Sequence, residues 1–535
     1  MAGGAVEVRT TAIWPGGAPG GVAGGLVLAL ILALTLGPVA LVLIQAGGAG
    51  GLTAADWAAA RFTVLQAALS AGLSVALAVP VARALARRSF PGRAALITAL
   101  GAPFLLPVVV AVLGILALFG RSGLLNRGIE ALGLPGVTIY GLQGVLLAHL
   151  FLNLPLAARM ILNGWAAVPP ERFRLAQSLD FAPRDVLRVI ERPVLRATLP
   201  GAFVAIFLVC LTSFTAVLVM GGGPRATTLS LAIYQSFRLE FDLAHAASLS
   251  ALQMALGLFA AFAGVAFVSP AAFGAGRGWR AQGRIAPPDP RAAARIGDGV
   301  VIGAMALFLA LPIGLAMAAG VTHLPRPDAA FLAPFGRSVA VALGATLLAV
   351  TGALALGLAL SGWRRGLARA ADGAAMLVLG TSPLVLGTGA FLALRGWADP
   401  AAFALPVTMV ANGLMALPFA LRILLPDIQT LRSDYDRLAD SLGMEGLARL
   451  RLLVLPRLRR PLGFAAGLAA ALAMGDLGVV TLFSDPERAT LPMVLYQRMG
   501  QYRMDEAYGL ALVLVLASFG LFWLFDRMGR ADADV

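Results

Sequence analysis

Polar side chains are scarce in the apolar stretches of this chain, and four of them fall into two matched pairs. Asp476 lies in ALAMGDLGVVTLF and Ser213 in CLTSFTAV, and an offset of 263 residues superimposes them. The same offset places His149 on Asn412. An ionisable group in an apolar segment is costly there and is a functional candidate by default; polar groups at equivalent depths would suit a shared central pathway. The competing reading is hydrogen bonding between helices, worth about 0.6–2 kcal/mol without any solute. Enzymatic chemistry finds no footing. There is no His-Glu-x-x-His motif, no nucleophile elbow and no pair of acids within one apolar segment. His149, His245 and His323 are too scattered for a metal site, and Cys210, alone, forms no intrachain disulfide. Lysine is absent, so no Walker A lysine exists to hold ATP, and Gly16–Gly21 and Gly47–Gly51 read as loops in a chain with 62 glycines.

The elements that must position these residues are helices. Of 535 residues, 59% are hydrophobic and 13% charged, with a mean hydropathy of +0.86, far from the charge content of a soluble domain. Apolar runs recur at the length a helix needs to cross a bilayer, where each backbone group must find its partner within its own segment. The first half offers spans at Gly21–Ile44, Val64–Leu85, Leu96–Phe119, Ile139–Leu162, Thr198–Met220 and Ala244–Phe267. The second offers Val300–Val321, Gly336–Leu360, Ala374–Leu394, Phe403–Leu425, Leu462–Phe483 and Ala507–Phe525. The fold class is all-α and polytopic, with about twelve transmembrane helices in two parallel six-helix halves. Pro103, Pro107 and Pro383 read as kinks. The first run is too long for a signal-peptide core and reads as a retained span.

The net charge of +14 comes from arginines gathered in alternate loops, notably at Arg83–Arg93, Arg172–Arg196, Arg277–Arg295, Arg364–Arg369 and Arg432–Arg460. A nucleic-acid binder would concentrate such charge on a soluble face. Short basic loops mark the cytoplasmic side instead, which puts both termini in the cytoplasm. The polar Gly/Pro/Arg-rich stretch 273–298 reads as a linker between a first unit, residues 1–272, and a second, residues 299–535.

The two units are related. Pro155 falls on Pro418, Arg159 on Arg422, Leu175-Ala176 on Leu438-Ala439, Ser178-Leu179 on Ser441-Leu442 and Pro193 on Pro456. Roughly one position in three is identical across this region, which points to a duplicated unit. After a one-residue slip, Tyr234-Gln235 falls on Tyr496-Gln497. The best-repeated segments are two long cytoplasmic loops. Each reads as two short helices: Pro169-Pro170 and Ser433-Asp434 suit helix starts, Gly443 a left-handed end, and Pro456 a stop. An amphipathic helix lying on lipid is the simpler alternative, but two copies at equivalent places favour a two-fold partner.

These loops resemble the signature loop of the permeases of ATP-binding-cassette (ABC) importers: E-A-A, three residues, G, then a closing L-P. The second copy reads Arg437-Leu438-Ala439 to Gly443 to Leu455-Pro456, and the first reads Arg174-Leu175-Ala176 to Asp180 to Arg192-Pro193. Arginine stands in both where glutamate is usual, and Asp180 replaces the glycine, so the first copy is expected to bend differently. The resemblance implies a type I importer permease in the bacterial inner membrane. Its docking residues would be Arg174, Leu175, Ala176, Leu179 and Asp180, with Arg437, Leu438, Ala439, Leu442 and Gly443. Ala176 and Ala439 would allow a dimeric ATPase subunit to approach closely. The permease itself would be no enzyme and would bind no cofactor or metal, ATP being hydrolysed by the partner.

The segments Gly221–Phe237, Met474–Asp485 and Leu491–Ala507 are similar to thiamine-importer permeases in particular. The resemblance thus implies thiamine, or its phosphates, delivered by a periplasmic binding protein. Asp476 would then face a cationic thiazolium, with Ser213, His149 and Asn412 along the same path. Tyr234, Tyr496 and Tyr502 would suit contact with the binding protein, or the membrane interface. A ferric-iron importer permease and a 6+6 secondary transporter are the alternatives; the second leaves the repeated loops without a role.

Overall fold

A computed structural model describes residues 19–46, 51–221, 223, 226–264, 285–286, 291–483 and 486–530. The predicted linker at 273–298 lies largely outside them, although the helix of span seven already begins at Ala292, inside that stretch. All regular structure among the described residues is helical. Eleven helices are long and apolar enough to cross a membrane. The ninth span is the twelfth crossing. It is divided into Arg365–Gly380 and Pro383–Leu394, each too short to span alone.

Spans one, two, four and six are Pro19–Ala46, Ala54–Arg87, Leu142–Ala166 and Leu243–Gly264. Spans seven, eight, ten and twelve are Ala292–Thr322, Ala329–Gly362, Ala404–Ser441 and Met504–Arg530. The third and fifth spans of each half are interrupted. Span three breaks before Val108–Phe119 at Leu106-Pro107, and span nine breaks at Thr381-Ser382 before Pro383. Leu106 and Ser382 are extended (ψ 129° and 143°) because a following proline ring disfavours the helical conformation. Span five breaks between Arg192–Leu211 and Thr215–Met220, and span eleven between Leu455–Met474 and Gly478–Phe483.

The first helix of each half packs largely on the other half. Span one lies on spans eight and nine and closes against span six; span seven lies on spans two and three and closes against span twelve. The exchange is fixed by two equivalent close approaches. A Cβ at Gly389 would come 2.4 Å from the Pro38 carbonyl oxygen, and one at Gly114 would come 2.8 Å from that of Pro312. Only glycine lets these backbones meet, and without a hydrophobic driving force in lipid such close packing is what holds helices together. The two short helices on the outer side, Leu229–Arg238 and Leu491–Gly500, are pinned equivalently. The Leu229 N–H donates to Thr63 Oγ1 at 2.9 Å, and the Leu491 N–H to Ser338 Oγ at 2.8 Å.

Gly114→Val and Gly389→Val should each overpack the exchange by about 1–3 kcal/mol and lower the melting temperature of the purified protein. Gly303→Val, where a side chain meets open space, should not. Equal melting temperatures for all three would show that these contacts do not hold the halves together.

Candidate functional site

The two cytoplasmic loops turn alike at one point: Asp180 (φ 50°) and Gly443 (φ 62°), at the repeat offset, are both left-handed. Behind it, the Phe181 N–H donates to the Ala176 carbonyl at 3.0 Å and the Met444 N–H to that of Ala439 at 2.9 Å. At this residue the copies agree, since aspartate is among the few side chains that tolerate the conformation. They part three residues on, where Gly446 (φ 54°) is left-handed and Pro183 opens a helix, so the first copy does bend differently there. Each chain then passes through a wide π-helical turn, Leu187–Glu191 or Leu450–Val454, at the repeat offset. Pro193 and Pro456 follow, and a proline without an N–H disturbs the ordinary helical ladder in front of it.

Two predicted details are corrected. Pro456 does not stop a helix; it lies in the first turn of Leu455–Met474, which continues the turn before it. Nor does a helix start at Ser433-Asp434, since span ten runs unbroken to Ser441. In the first half a separate helix, Pro170–Ser178, does form, because Pro169-Pro170 interrupts the chain where the second half has Arg432-Ser433.

Arg174, Leu175, Leu179 and Asp180 are exposed, as are Arg437, Leu438, Leu442 and Gly443. The four leucines are 54–66% exposed, an unusual cost unless a partner covers them. Ala176 and Ala439, by contrast, are 3% and 1% exposed. They hold the loop against its own support instead of offering room to a partner.

Behind these similar faces the supports differ, in a way sequence reasoning missed. In the first half Glu191, wholly buried, meets Arg83 at 2.9 Å and Arg87 at 2.7 Å at the cytoplasmic end of span two. In the second, Arg449 clips the loop locally: it bonds Asp436, and Asp440 at 2.7 Å. Phe173 and Val186, buried, stand at the positions equivalent to Asp436 and Arg449. The compensating change, an acid–base pair exchanged for an apolar pair at one offset, was visible in the repeat alignment.

The four intramembrane residues come together as pairs across the breaks of spans five and eleven. His149 bridges Ser70 Oγ (3.0 Å, Nδ1) and Ser213 Oγ (2.9 Å, Nε2). Asn412 is the side-chain amide facing Asp476. Ser213 and Asp476 are partly exposed, whereas His149 and Asn412 behind them are buried. The broken backbone is satisfied differently in each half. Gln66 and Gln253 donate to the carbonyls of Cys210 and Leu211 at the end of the helix, at 2.9 and 3.1 Å. In the second half Asp476 Oδ1 accepts from the Gly478 N–H at 3.2 Å, which begins the next helix. On the outer side, the equivalent tyrosines Tyr234 and Tyr496 approach one another; burial pushes the Tyr496 hydroxyl up to about 12, and Tyr234 beside it adds to the shift. Tyr502 instead stands free, 91% exposed. No group of His, Cys, Asp and Glu among the described residues could hold a metal ion.

No protein-family profile matches the chain. Among curated proteins, it is 40% identical over 513 residues to the thiamine transport system permease protein ThiP of Brucella abortus, covering 93% of each chain. Its identity to ThiP of Escherichia coli is 38% over 483 residues, covering 88% of this chain and 89% of the relative. To that of Haemophilus influenzae it is 34% over 486 residues, covering 88% of both.

Removing the Arg449 side chain leaves two aspartates without their clip. The cost should be about 2 kcal/mol, below the range for fully buried pairs because Asp440 is half exposed. Arg449→Ala should therefore speed chymotryptic cleavage after Leu438 and Leu442 in inside-out vesicles several-fold. An unchanged rate would show that the clip does not order the loop.

Proposed function

Because the chain belongs to the family of thiamine transport system permeases, we propose that it forms the membrane pathway of an ATP-driven thiamine importer, its two cytoplasmic loops seated on a separate dimeric ATPase and its outer face supplied by a periplasmic binding protein. It is a multi-pass protein of the bacterial inner membrane and not itself an enzyme. The ferric-iron alternative gains no support from relatives that carry thiamine in their names.

The observation that carries the docking reading is the matched pair of leucine-bearing turns. Two leucine-bearing turns related by the repeat fit two equivalent clefts of a dimeric motor, and a secondary transporter would have no use for them. Leu175 and Leu179 in one turn, and Leu438 and Leu442 in the other, supply the apolar contact; Arg174 and Arg437 flank it. Movement imposed on either turn passes through its π-helical segment into span five or eleven, whose far end carries Ser213 or Asp476. Those residues, with His149 and Asn412, lie along the path. A carboxylate there compensates the positive thiazolium of thiamine, and Ser213, His149 and Asn412 add hydrogen-bonding groups.

Placing a carboxylate in a docking contact should cost about 2 kcal/mol, roughly a 30-fold loss of affinity. Leu179→Glu and Leu442→Glu, both at exposed positions, should each reduce ATPase co-purification and thiamine uptake while leaving membrane abundance unchanged. If both variants hold the ATPase and transport normally, the docking assignment fails and a secondary transporter is the better reading.

A further inference from the structure

At the cytoplasmic membrane boundary a cavity of about 390 Å³ opens between the end of span two and the start of span seven. Arg87, Arg88, Ser89 and Phe90 line it from one side, and Arg295, Gly299 and Ile302 from the other. The charge around it is unbalanced. Arg87 shares Glu191 with Arg83, and Arg88 is matched by Asp298 at 2.6 Å. Arg295 is exposed and pairs with no carboxylate among the described residues. Among the described residues, the three arginines that line the cavity, Arg87, Arg88 and Arg295, have only Asp298 and a share of Glu191 against them, which leaves an excess of positive charge at the mouth of a partly apolar space.

The depth of the cavity matters as much as its charge. On the same turns of span seven Ile296 and Val300 are 67% and 65% exposed, so this is where the helix enters hydrocarbon. A site with arginines at its rim and Phe90 and Ile302 in its wall matches a molecule that is anionic at one end and apolar at the other. We propose that the cavity holds the phosphate of an anionic phospholipid from the inner leaflet, Arg295 and Arg88 facing the headgroup and Phe90 and Ile302 the glycerol and upper acyl chains. Basic pockets between spanning helices on the cytoplasmic side are where such headgroups bind. A free phosphate would gain nothing from the apolar wall. The same arginines join the Glu191 turn behind the first docking loop to Asp298 on span seven, so the lipid would sit on the ion-paired seam between the two halves. None of this depends on the identity of the transported solute.

The test is native mass spectrometry of the full chain, extracted from vesicles of equal phosphatidylglycerol and phosphatidylcholine. The wild type should retain phosphatidylglycerol preferentially. Arg295→Gln removes the unmatched charge, and Gly299→Trp fills the cavity from a position with open space around it. Each should lower the retained phosphatidylglycerol about tenfold, a change of about 1.4 kcal/mol. Arg369→Gln, an exposed cytoplasmic arginine outside the cavity, should leave it unchanged. Equal retention by all four proteins, or no preference in the wild type, would overturn the proposal. So would release of the lipid by inorganic phosphate but not by sodium chloride of equal ionic strength, which would mark a site for free anions.

Discussion

A bilayer interior offers no water to a broken helix, and the architecture of this protein follows from how its four breaks are satisfied. Each half interrupts its third and fifth spans, and an interruption frees carbonyls on one side and N–H groups on the other. Span five places the carbonyls at its break under two glutamines from neighbouring helices. Span eleven has Val341 and Val515 at the equivalent positions and uses the Asp476 carboxylate on the opposite end of its break. These requirements draw polar side chains to one depth. The breaks are also neighbours: Gly475 lies against Pro107, and Gly478 against Pro383, so the interruptions of different spans face one another. Polar groups gathered at facing breaks would give a solute a sequence of partners in an otherwise apolar structure.

Much of this is legible in the sequence because duplication writes it twice. The 263-residue offset brings His149 with Ser213, and Asn412 with Asp476, onto equivalent places; the structure hydrogen-bonds the first pair and sets the second face to face. What stays hidden depends on contacts between distant segments. Glu191 looks like one acid in a basic loop, and its partners Arg83 and Arg87 lie more than a hundred residues earlier. The exchange of first helices leaves no local trace, since Gly114 and Gly389 are two among 62 glycines. Asp180 misleads for a different reason: residue identity places the change at that position, but the backbone there requires a left-handed residue and aspartate meets it, and the turns part three residues on, at Pro183 against Gly446.

The halves are alike where they face outward and different where they face inward. The two turns present equivalent exposed leucines, as a symmetric partner would demand. Their supports are free to diverge: a buried acid tied to span two in one half, a local arginine clip in the other. The intramembrane pairs diverge in the same way. One half has a histidine held between two serines, whereas the other has a carboxylate beside Asn412. A cationic solute would therefore meet an asymmetric path within a symmetric frame, bound more closely by the second half and guided by the first.

The central claim is that Ser213 and Asp476 line one path through the membrane. Cys210 is the single cysteine of the chain, so its replacement by alanine gives a background without thiols. In that background Ser213→Cys and Asp476→Cys, in the assembled importer, should both react with a membrane-impermeant thiol reagent, and thiamine should slow both reactions. If neither cysteine reacts in any nucleotide state, or if thiamine changes neither rate, the two breaks do not line the path and the account is wrong.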